Sequence, residues 1–585
     1  MERDALRARA QDYIVKESDE GFRSELKALL DAENWTELED RLYRDLEFGT
    51  GGLRGVIGGG WNRMNSFVVK RATQGLATYL VKNVTGKSLS AAIAFDSRNY
   101  SDTFAEAAAL VFAANGIKTY LFSSMRPTPE LSFAIRHLGC DTGIVVTASH
   151  NPPQYNGYKA YWGDGGQVIP PHDKGIIAEV NAVSEVKSMD RAEALSKGLL
   201  VIIDKDVDIP YADMVRSQLF RPALIKEKAK DVSIVYTPLH GTGAMHVEGV
   251  LGSLGLSVKT VPEQREGDGN FPTVSFPNPE EADALKMALA MGEREKADVV
   301  MATDPDSDRL GIAVPDKSGK FTLVSGNQLG VLLADYLFLS RKELGRMPAK
   351  PAMVNTIVTT GMQKLVAESY GVECIECLTG FKWIAAVMAE CESNGSGKEV
   401  VFGTEESYGF LVEDEVRDKD AVSAAAMTAE MTLYWRSMGK SLLDRLDELY
   451  IKHGFWQEFG ISKYFQGAGG SATMKGIMEE YRNKPPASLG GLKVVKVRDI
   501  QRSVSFAPDS KDKTEAVAFP KSDVLQFYLE DGTIVSARPS GTEPKIKFYA
   551  SCCTPVVNGD LAAARSTATT KLKAIEADIR AVIGN

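Results

Sequence analysis

The sequence predicts an α/β protein with three related mixed-sheet domains and a C-terminal α+β domain. The 585-residue chain is too long for one hydrophobic core, and at about 150 residues per domain it suggests about four domains. From Ser90 onward, apolar strand-like runs alternate with helix-like runs, which is typical of α/β units. From about Ser441 the order changes to a helix, several strands and a final helix, which favours an α+β domain.

These changes of pattern give the domain boundaries. The first domain carries N-terminal helices before its α/β unit, and two further α/β units precede the C-terminal domain. We expect the four domains at residues 1–208, 209–324, 325–440 and 441–585.

The N-terminal segment contains two different patterns. Met1 to about Leu46 alternates apolar and charged residues at helical spacing, which predicts two or three amphipathic helices. Phe48 to Gly60 reads FGTGGLRGVIGGG, a glycine run that we expect to be too flexible for regular structure. Its single cation, Arg54, is placed to reach a phosphate.

The three α/β units end alike. Each places an apolar strand before a threonine and a polar loop, in the segments GIVVTASHNP, DVVMATDPDSD and EVVFGTEES. This is a near-repeat of whole domains rather than of short solenoid units. If the domains share a fold, the three loops occupy equivalent sheet ends and converge on one cleft.

Composition excludes several classes of protein. The net charge of −10 argues against nucleic acid or an anionic membrane as a partner, because both attract basic surfaces. The charged N-terminus lacks a signal-peptide core, and no apolar run reaches the roughly 18 residues of a spanning helix, so we expect a cytoplasmic protein. The six cysteines are scattered and are expected to be reduced. The CxxC of Cys374 and Cys377 lies in an apparent strand and favours packing over a metal or redox role.

Ser149 stands where an apolar strand ends abruptly. Gly143 to Val146 reads as a buried strand, and Asn151-Pro152-Pro153 prevents it from continuing. Ligands bind beyond the carboxyl ends of strands in open α/β sheets, so Ser149 and His150 are placed where chemistry is usual. By itself this stretch favours an ordinary turn serine, and only the rest of the chain favours a functional one.

The second loop indicates a metal site. Asp304, Asp306 and Asp308 alternate, so in an extended loop their carboxylates project to one side. Such oxygen ligands favour Mg²⁺, Mn²⁺ or Ca²⁺ over zinc. An EF-hand is excluded because Arg309 and Pro315 occupy its sixth and twelfth positions. The alternative is a solvated acidic turn.

A metal held by three carboxylates has positions left for a phosphorylated partner. Ser149 would supply one if it carried phosphate, with Arg309 stabilising charge on the phosphoryl group in transit. In the C-terminal domain, ARPSGTEPK (Ala537 to Lys545) has the cation, hydroxyls and glycine of a phosphate-holding loop. GTEES (Gly403 to Ser407) offers carboxylates and hydroxyls suited to a sugar.

Together these motifs resemble the α-D-phosphohexomutase superfamily, which includes the phosphoglucomutases and phosphomannomutases. TASHNP, DPDSDR, GTEES and RPSGTEPK occur in the family's order, and GTGGLRG precedes them. The resemblance implies a heart-shaped phosphohexomutase architecture of four domains, the fourth closing over a cleft.

The resemblance also implies a mechanism. Phosphorylated Ser149 would give its phosphate to a sugar monophosphate, and the resulting bisphosphate would reorient and return its other phosphate to Ser149. Mg²⁺ would be held by Asp304, Asp306, Asp308 and the seryl phosphate. Glucose 1,6-bisphosphate would be the intermediate and the activator.

The family's other functional positions carry over residue by residue. Four would line the transfer site, four would contact the sugar, and four would hold the non-transferring phosphate. They are Arg54, His150, Lys159 and Arg309; Thr379, Glu405, Ser407 and Lys419; and Arg538, Ser540, Gly541 and Thr542. We expect Lys159 to handle the proton, with a pKa lowered by burial and nearby cations. A permanent counter-charge is the alternative role for Lys159.

The resemblance implies interconversion of glucose 1-phosphate and glucose 6-phosphate. Phe381 and GTEESYGF stand where mannose-accepting members tend to have His and GEMSGH, which disfavours mannose. The long N-terminal segment and the extended TASHNP region resemble the branch with phosphopentomutase-like and bisphosphate-synthase members. Ribose phosphates, or synthesis of glucose 1,6-bisphosphate, therefore stay open, as does a catalytically silent sugar-phosphate sensor. The expected partner is a sugar-phosphate substrate, without nucleic acid or membrane, for a monomer or homodimer.

Overall fold

The structure is a computed structural model that describes residues 1–49, 51–465, 470–510, 513–540 and 545–584. The chain divides into two compact units. The first contains residues 1–326 and 385–439, and the second contains 327–384 and 440–585.

Helices and strands alternate through most of the chain. The helices are α1 (Arg3–Lys16), α2 (Glu20–Asp31), α3 (Trp35–Leu42), α4 (Ser66–Asn83), α5 (Ser101–Ala114), α6 (Thr128–His137), α7 (His172–Ala182), α8 (Arg191–Ser196), α9 (Lys205–Ser217), α10 (Pro222–Lys228), α11 (Ala244–Ser253), α12 (Pro262–Arg265), α13 (Ala282–Glu295), α14 (Gly326–Glu343), α15 (Met362–Ser369), α16 (Phe381–Ser393), α17 (Ala421–Ser437), α18 (Leu442–His453), α19 (Gly470–Asn483) and α20 (Leu561–Ile583). The strands are β1 (Gly52–Val56), β2 (Ser90–Phe95), β3 (Lys118–Phe122), β4 (Thr142–Val146), β5 (Tyr155–Trp162), β6 (Leu200–Ile203), β7 (Ser233–Thr237), β8 (Ser257–Thr260), β9 (Val299–Thr303), β10 (Leu310–Pro315), β11 (Phe321–Val324), β12 (Pro351–Thr356), β13 (Glu373–Cys377), β14 (Glu399–Glu405), β15 (Gly409–Leu411), β16 (Phe455–Tyr464), β17 (Ser488–Leu489), β18 (Leu492–Asp499), β19 (Val504–Phe506), β20 (Thr514–Ala516), β21 (Leu525–Leu529), β22 (Ile534–Pro539) and β23 (Lys545–Thr554). No described helix is long and apolar enough to cross a lipid bilayer.

The N-terminal segment forms helices α1, α2 and α3, as its periodicity predicts. Their apolar faces share a small core that includes Leu6, Tyr13 and Leu26. Trp61, which follows the glycine run, packs into the same core and joins the helices to the first α/β domain.

The glycine run is not irregular, and that expectation is wrong. Gly52–Val56 is strand β1, which pairs antiparallel with β5 and places Arg54 opposite Gly157. At Gly52 a Cβ would lie 1.8 Å from the carbonyl oxygen of Tyr158. Glycine is therefore required there because two backbones approach closely, and not because the segment is flexible.

The first sheet has the strand order β1-β5-β4-β2-β3-β6. Strand β2 runs parallel to β3 and β4, while β5 runs antiparallel to β4 and β1. Every residue of β4 is buried, as the apolar run from Gly143 to Val146 predicts. The Ser149 loop therefore begins at the end of a fully buried strand.

The second sheet has the order β11-β10-β9-β7-β8 and repeats this mixed arrangement. Strand β7 is parallel to β8 and β9, and β10 is antiparallel to β9. Strand β9 is fully buried and ends at Thr303, immediately before Asp304. The metal-loop candidate thus occupies the same place on its strand as the Ser149 loop.

The third α/β region contributes elements to both compact units. In the first unit, β14 and β15 form an antiparallel hairpin that begins its turn after Glu405. In the second unit, β12 and β13 are parallel neighbours. Cys377 at the end of β13 is buried and Cys374 is half-buried, and both are free thiols, which fits the packing interpretation of the CxxC.

The C-terminal region is an antiparallel sheet with the order β16-β23-β22-β21-β18-β19-β20. Helix α20 packs against β16 and β23 through buried residues that include Leu572, Ile575 and Ile579. This is the α+β domain that the change of pattern predicts. The three mixed α/β regions and this domain confirm the predicted fold class.

Candidate active site

Ser149 is held in an unusual backbone conformation beyond the end of β4. Its φ is +51°, which residues with a Cβ rarely adopt, and it is buried. Its hydroxyl donates to Asp304 Oδ2 at 2.8 Å and lies 3.1 Å from His150 Nδ1. The structure therefore places the predicted nucleophile against the predicted metal-binding segment, Asp304 to Asp308, which we call the metal loop.

The metal loop is a turn and not the extended segment we expected. Ser307 has a φ of +53°, and its backbone N–H donates to the Asp304 carbonyl at 2.9 Å. The turn still gathers the carboxylates: Asp304, Asp306 and Asp308 each offer an oxygen within 4.8 Å of the others, and all three residues are buried. Because the backbone folds into a turn, the three carboxylates approach one another. In an extended segment they would only lie on the same side of the chain.

The three carboxylates fit a divalent cation such as Mg²⁺. Asp306 Oδ1 and Asp308 Oδ1 are buried and accept no hydrogen bond from the described residues. Buried acceptors without a partner are costly, and a hard cation would satisfy them. Burial and then repulsion from Asp306 and Asp308 raise the pKa of Asp304 well above its usual range. Concentrated negative charge of this kind is what a bound cation neutralises.

Two lysines reach the same carboxylates. Lys159 Nζ donates to Asp306 Oδ2 at 2.7 Å and to Asp308 Oδ2 at 3.0 Å, and Lys419 Nζ lies 3.1 Å from Asp308 Oδ2. Burial lowers the pKa of Lys159, but Asp306 and Asp308 outweigh it and raise that pKa to about 12. The expectation of a lowered pKa is therefore wrong for this structure, because two carboxylates bond the Lys159 amine directly. The geometry favours the counter-charge role of Lys159.

The remaining transfer-site residues surround Ser149. Arg54 Nη1 donates to Asn151 Oδ1 at 3.1 Å, and Arg309 Nη1 donates to Glu280 Oε1 at 3.2 Å. Burial, followed by repulsion from Arg309 and Arg54, lowers the pKa of His150 well below its usual value. His150 is therefore neutral at pH 7 and acts as a hydrogen-bonding group beside the Ser149 hydroxyl.

The sugar-loop candidates of the first unit lie next to the metal loop. Arg309 forms a backbone bridge with Gly409, and the Leu310 N–H donates to the Tyr408 carbonyl at 3.0 Å. Glu405 ends β14, and Ser407 lies in the turn that follows. At Gly409 a Cβ would lie 2.3 Å from Lys419 Cδ, so the missing side chain lets Lys419 pass. The first unit thus places Lys419 against Asp308 and the turn between β14 and β15 beside Arg309 and Leu310.

The other predicted residues belong to the second unit. Thr379 follows β13, and its Oγ1 is buried without a hydrogen-bond partner among the described residues. Arg538 lies in β22 opposite Lys547, and the Ser540 N–H donates to the Lys545 carbonyl at 2.7 Å. Gly541 and Thr542 lie outside the described residues.

The structure adds site residues that the sequence analysis did not single out. Thr128, at the start of α6, donates to Asp306 twice, from its backbone N–H to the carbonyl at 2.9 Å and from its hydroxyl to Oδ2 at 2.8 Å. Asp96 accepts a hydrogen bond from the Thr147 hydroxyl, and Arg98 donates to the carbonyl of Ser149. A signal existed for this pair, because AAIAFDSR also places a polar loop after an apolar strand. For Thr128 the sequence offered only the short MRPTPE segment before a predicted helix as an indication of a polar loop.

Four family models match the chain in order. They describe the alpha/beta/alpha domains I, II and III and the C-terminal domain of phosphoglucomutase/phosphomannomutase. The matches cover residues 45–187, 210–319, 325–453 and 490–567. Together they span most of the sequence.

Similar proteins carry two different substrate names. The human phosphopentomutase is 35% identical over 555 residues, covering 92% of this chain and 89% of that protein. A Staphylococcus aureus (strain USA300) phosphoglucomutase is also 35% identical, over 513 residues, covering 87% of this chain and 90% of that protein. The crystal structure of pp63/parafusin, a phosphoglucomutase from Paramecium, shares the fold with a TM-score of 0.67 and 17% identity, covering 92% of this chain and 96% of that one.

Proposed function

This chain belongs to the phosphoglucomutase/phosphomannomutase family of sugar-phosphate mutases, and we propose that it interconverts glucose 1-phosphate and glucose 6-phosphate through a phosphorylated Ser149. One observation carries the proposal. The buried Ser149 hydroxyl lies 2.8 Å from Asp304, within a carboxylate cluster that retains oxygens accepting no hydrogen bond from the described residues. A phosphoryl group on that hydroxyl would complete the surroundings of a cation held by the cluster.

The proposed reaction has two transfers of opposite direction. In the first, the bond between phosphorus and Ser149 Oγ breaks while a bond forms to the free hydroxyl of the sugar monophosphate. The hydroxyl loses its proton, and Ser149 Oγ keeps the electron pair of the broken bond and ends as a protonated hydroxyl. The resulting bisphosphate reorients, and its other phosphoryl group returns to Ser149 by the reverse step. Glucose 1,6-bisphosphate is thus both the intermediate and the compound that first phosphorylates Ser149.

The residues around Ser149 have distinct parts in this scheme. Asp304, Asp306, Asp308 and the seryl phosphate would hold Mg²⁺, which would supply positive charge to the phosphoryl oxygens. Arg54 and Arg309 add fixed cations where the transferring group gains charge. His150 forms a hydrogen bond with Ser149 Oγ. Lys159 neutralises part of the negative charge of Asp306 and Asp308.

The sugar and the second phosphate require further contacts. We assign the sugar hydroxyls to Glu405, Ser407 and Thr379, with Lys419 at the substrate. The phosphate that is not transferred is assigned to Arg538, Ser540, Gly541 and Thr542. These contacts must accept the hexose in two orientations, because each end of the sugar is presented to Ser149 in turn.

A comparison of substrates tests the proposal. We would measure initial rates on glucose 1-phosphate, ribose 1-phosphate and mannose 1-phosphate with Mg²⁺ and traces of the matching bisphosphate. We expect glucose to be preferred by about tenfold or more, about 1.4 kcal/mol of transition-state discrimination. S149A is the control and should be inactive on all three. A preference for mannose, or an active S149A, would contradict the proposal.

Phosphopentomutase activity is the second candidate. The 35% identity with the human phosphopentomutase over 92% of this chain favours it. A clear preference for ribose 1-phosphate in the same assay would establish it. That result would keep the phosphoserine mechanism and change only the sugar that the Glu405 to Ser407 loop accepts.

A further inference from the structure

The side chain of Arg98 lies beneath the Ser149 loop and binds its backbone. Arg98 is fully buried in the loop that follows β2. Its Nη1 donates to the carbonyls of Pro152 at 2.9 Å and Tyr155 at 3.0 Å. Its Nη2 donates to the carbonyl of Ser149 at 2.5 Å and to that of Asn151. One guanidinium thus holds four carbonyls of the segment 149–155.

Asp96 holds the other side of the same loop. It accepts from the Thr147 hydroxyl at 2.6 Å and from the Ser101 hydroxyl at 2.8 Å. The Thr147 hydroxyl in turn accepts from the Ser149 N–H at 2.8 Å. Asp96 Oδ2 lies 3.4 Å from Arg98 Nε, so the two residues form a buried ion pair. Ser149 is therefore connected to this pair through both its N–H and its carbonyl.

The conformation of Ser149 explains why such a connection is needed. A φ of +51° is unfavourable for a serine and persists only where the surroundings enforce it. The carbonyls of Ser149 and Asn151 would turn if they lost their shared donor. The hydroxyl would then leave the position at which it meets Asp304.

The pair is enclosed by the second α/β domain. The Phe271 ring centroid lies 4.9 Å from the Arg98 guanidinium carbon. At Gly269 a Cβ would lie 2.3 Å from the Asn99 backbone nitrogen, so this segment packs directly against the Arg98 loop. Burial lowers the pKa of Arg98 to about 10, so the guanidinium remains charged at pH 7.

We propose that Arg98, oriented by Asp96, is a positioning residue that holds Ser149 in the conformation required for phosphoryl transfer. This inference rests on the proposed mutase function. Arg98 acts through the backbone of the Ser149 loop and does not touch the reacting atoms. Its loss should therefore slow the transfer step more than it weakens substrate binding.

The test compares wild type with R98K and with D96N. A lysine keeps the charge but cannot bind four carbonyls with one planar fork. For R98K we expect kcat to fall about 100-fold, the loss typical of a misplaced reacting group, while KM stays within about threefold. Hydrogen exchange within residues 147–155 should accelerate in both variants, and phosphorylation of Ser149 by glucose 1,6-bisphosphate should slow in proportion to kcat.

Arg126 provides the matched control. It is also a buried arginine in the first unit, but its side chain bonds Asp204 and Asp208 and donates to no carbonyl of segment 147–155. R126K should lower Tm without changing kcat by more than about threefold or altering exchange in that segment. It separates a general loss of stability from a loss of positioning.

Two results would overturn the inference. The first is an R98K enzyme with unchanged kcat and unchanged exchange in the loop, and the second is a loss that R126K reproduces fully. A wild-type protein without mutase activity on any of the three sugar phosphates would instead contradict the proposed function. The exchange measurement would still decide whether Arg98 holds the loop.

Discussion

At the scale of single residues, Thr128 couples helix α6 to the metal loop. Its hydroxyl donates to Asp306 Oδ2, which also accepts from Lys159. Residues that hydrogen-bond to metal ligands fix the orientation of those ligands. The loss of such a hydrogen bond typically costs about 10–100-fold in metal affinity or activity. If Asp306 is a metal ligand, as we propose, Thr128 should influence Mg²⁺ binding although it is not itself a ligand.

We predict that T128V raises the Mg²⁺ concentration for half-maximal activity by about tenfold, because Asp306 loses one of its two buried donors. The measurement is a Mg²⁺ titration of mutase activity at saturating sugar phosphate. T128S, which restores the hydroxyl, should recover most of the affinity. An unchanged Mg²⁺ requirement in T128V would show that the bond serves only packing.

Glu458, in the second unit, provides a prediction about pH. Burial raises its pKa to about 7, although hydrogen bonds from Thr360 and Ser551 oppose the rise. The folded-state pKa thus exceeds the unfolded value of about 4.5. Ionisation therefore favours the unfolded chain, and the stability present below about pH 4.5 falls as the pH rises to about 7.

We predict that E458Q is more stable than wild type at pH 8, by on the order of 1 kcal/mol after allowing for the partial exposure of the residue. The two proteins should have similar stability at pH 4, below the unfolded-state pKa, where the wild-type carboxyl is mostly protonated in both the folded and the unfolded chain. Urea unfolding at both pH values makes the comparison. A stability difference that does not change with pH would contradict the raised pKa.

At the scale of elements, a glycine without a side chain allows the turn before α11 to pack closely against the metal loop. At Gly241 a Cβ would lie 2.4 Å from the Cα of Pro305, a backbone atom of the metal loop. Gly249, in the exposed part of α11, would place its Cβ in open space. Gly241 is buried in a turn before α11, whereas Gly249 is exposed within α11, and only Gly241 would bring a Cβ against the metal loop.

We predict that G241A displaces the metal loop, lowers stability by about 1–3 kcal/mol and lowers kcat. G249A should instead leave activity unchanged and raise stability by up to about 1 kcal/mol, because alanine favours a helix over glycine. Thermal unfolding and mutase assays on both variants decide. Equal activity in the two variants would contradict the account of the close contact.

Elements with a local cause could be predicted from the sequence. Strands β4 and β9 follow from short apolar runs, and α1 to α3 follow from helical spacing. Strand β1 could not be predicted, because it exists only through pairing with β5, about 100 residues later. The turn at Ser307 was missed for a similar reason, since a positive φ in a serine is enforced by surrounding contacts. The loops that follow β4, β9 and β14 were predictable because each interrupts an apolar strand with polar residues.

At the scale of the whole molecule, the predicted site residues are divided between the two compact units. The first unit holds the residues proposed for phosphoryl transfer and the proposed sugar loop, and the second holds Thr379, Arg538 and Ser540. Motif order led to a hypothesis about the chemistry of each loop, and those roles stay predictions. It did not single out Thr128, Asp96 or Arg98, because their contacts depend on which elements the fold brings together, although AAIAFDSR already shows the pattern of an apolar strand followed by a polar loop.

Metal removal should affect the whole protein. We predict that EDTA abolishes mutase activity, that Mg²⁺ restores it, and that saturating Mg²⁺ raises Tm. A ligand at 100 times its Kd stabilises the folded state by about 2.7 kcal/mol. D306N should lose most of this rise, because one of the three carboxylates becomes neutral. Full activity in EDTA would contradict the proposed metal site.

The most direct test of the central claim is the phosphorylation state of Ser149 during one catalytic cycle. The Ser149 peptide of the wild-type enzyme would be analysed by mass spectrometry after incubation with Mg²⁺ and glucose 1,6-bisphosphate, and again after removal of the bisphosphate and addition of excess glucose 1-phosphate. We predict that Ser149 gains one phosphoryl group and then transfers it to the added sugar phosphate, with glucose 1,6-bisphosphate as the product. An unphosphorylated Ser149, or a phosphoryl group that glucose 1-phosphate does not remove, would contradict the account.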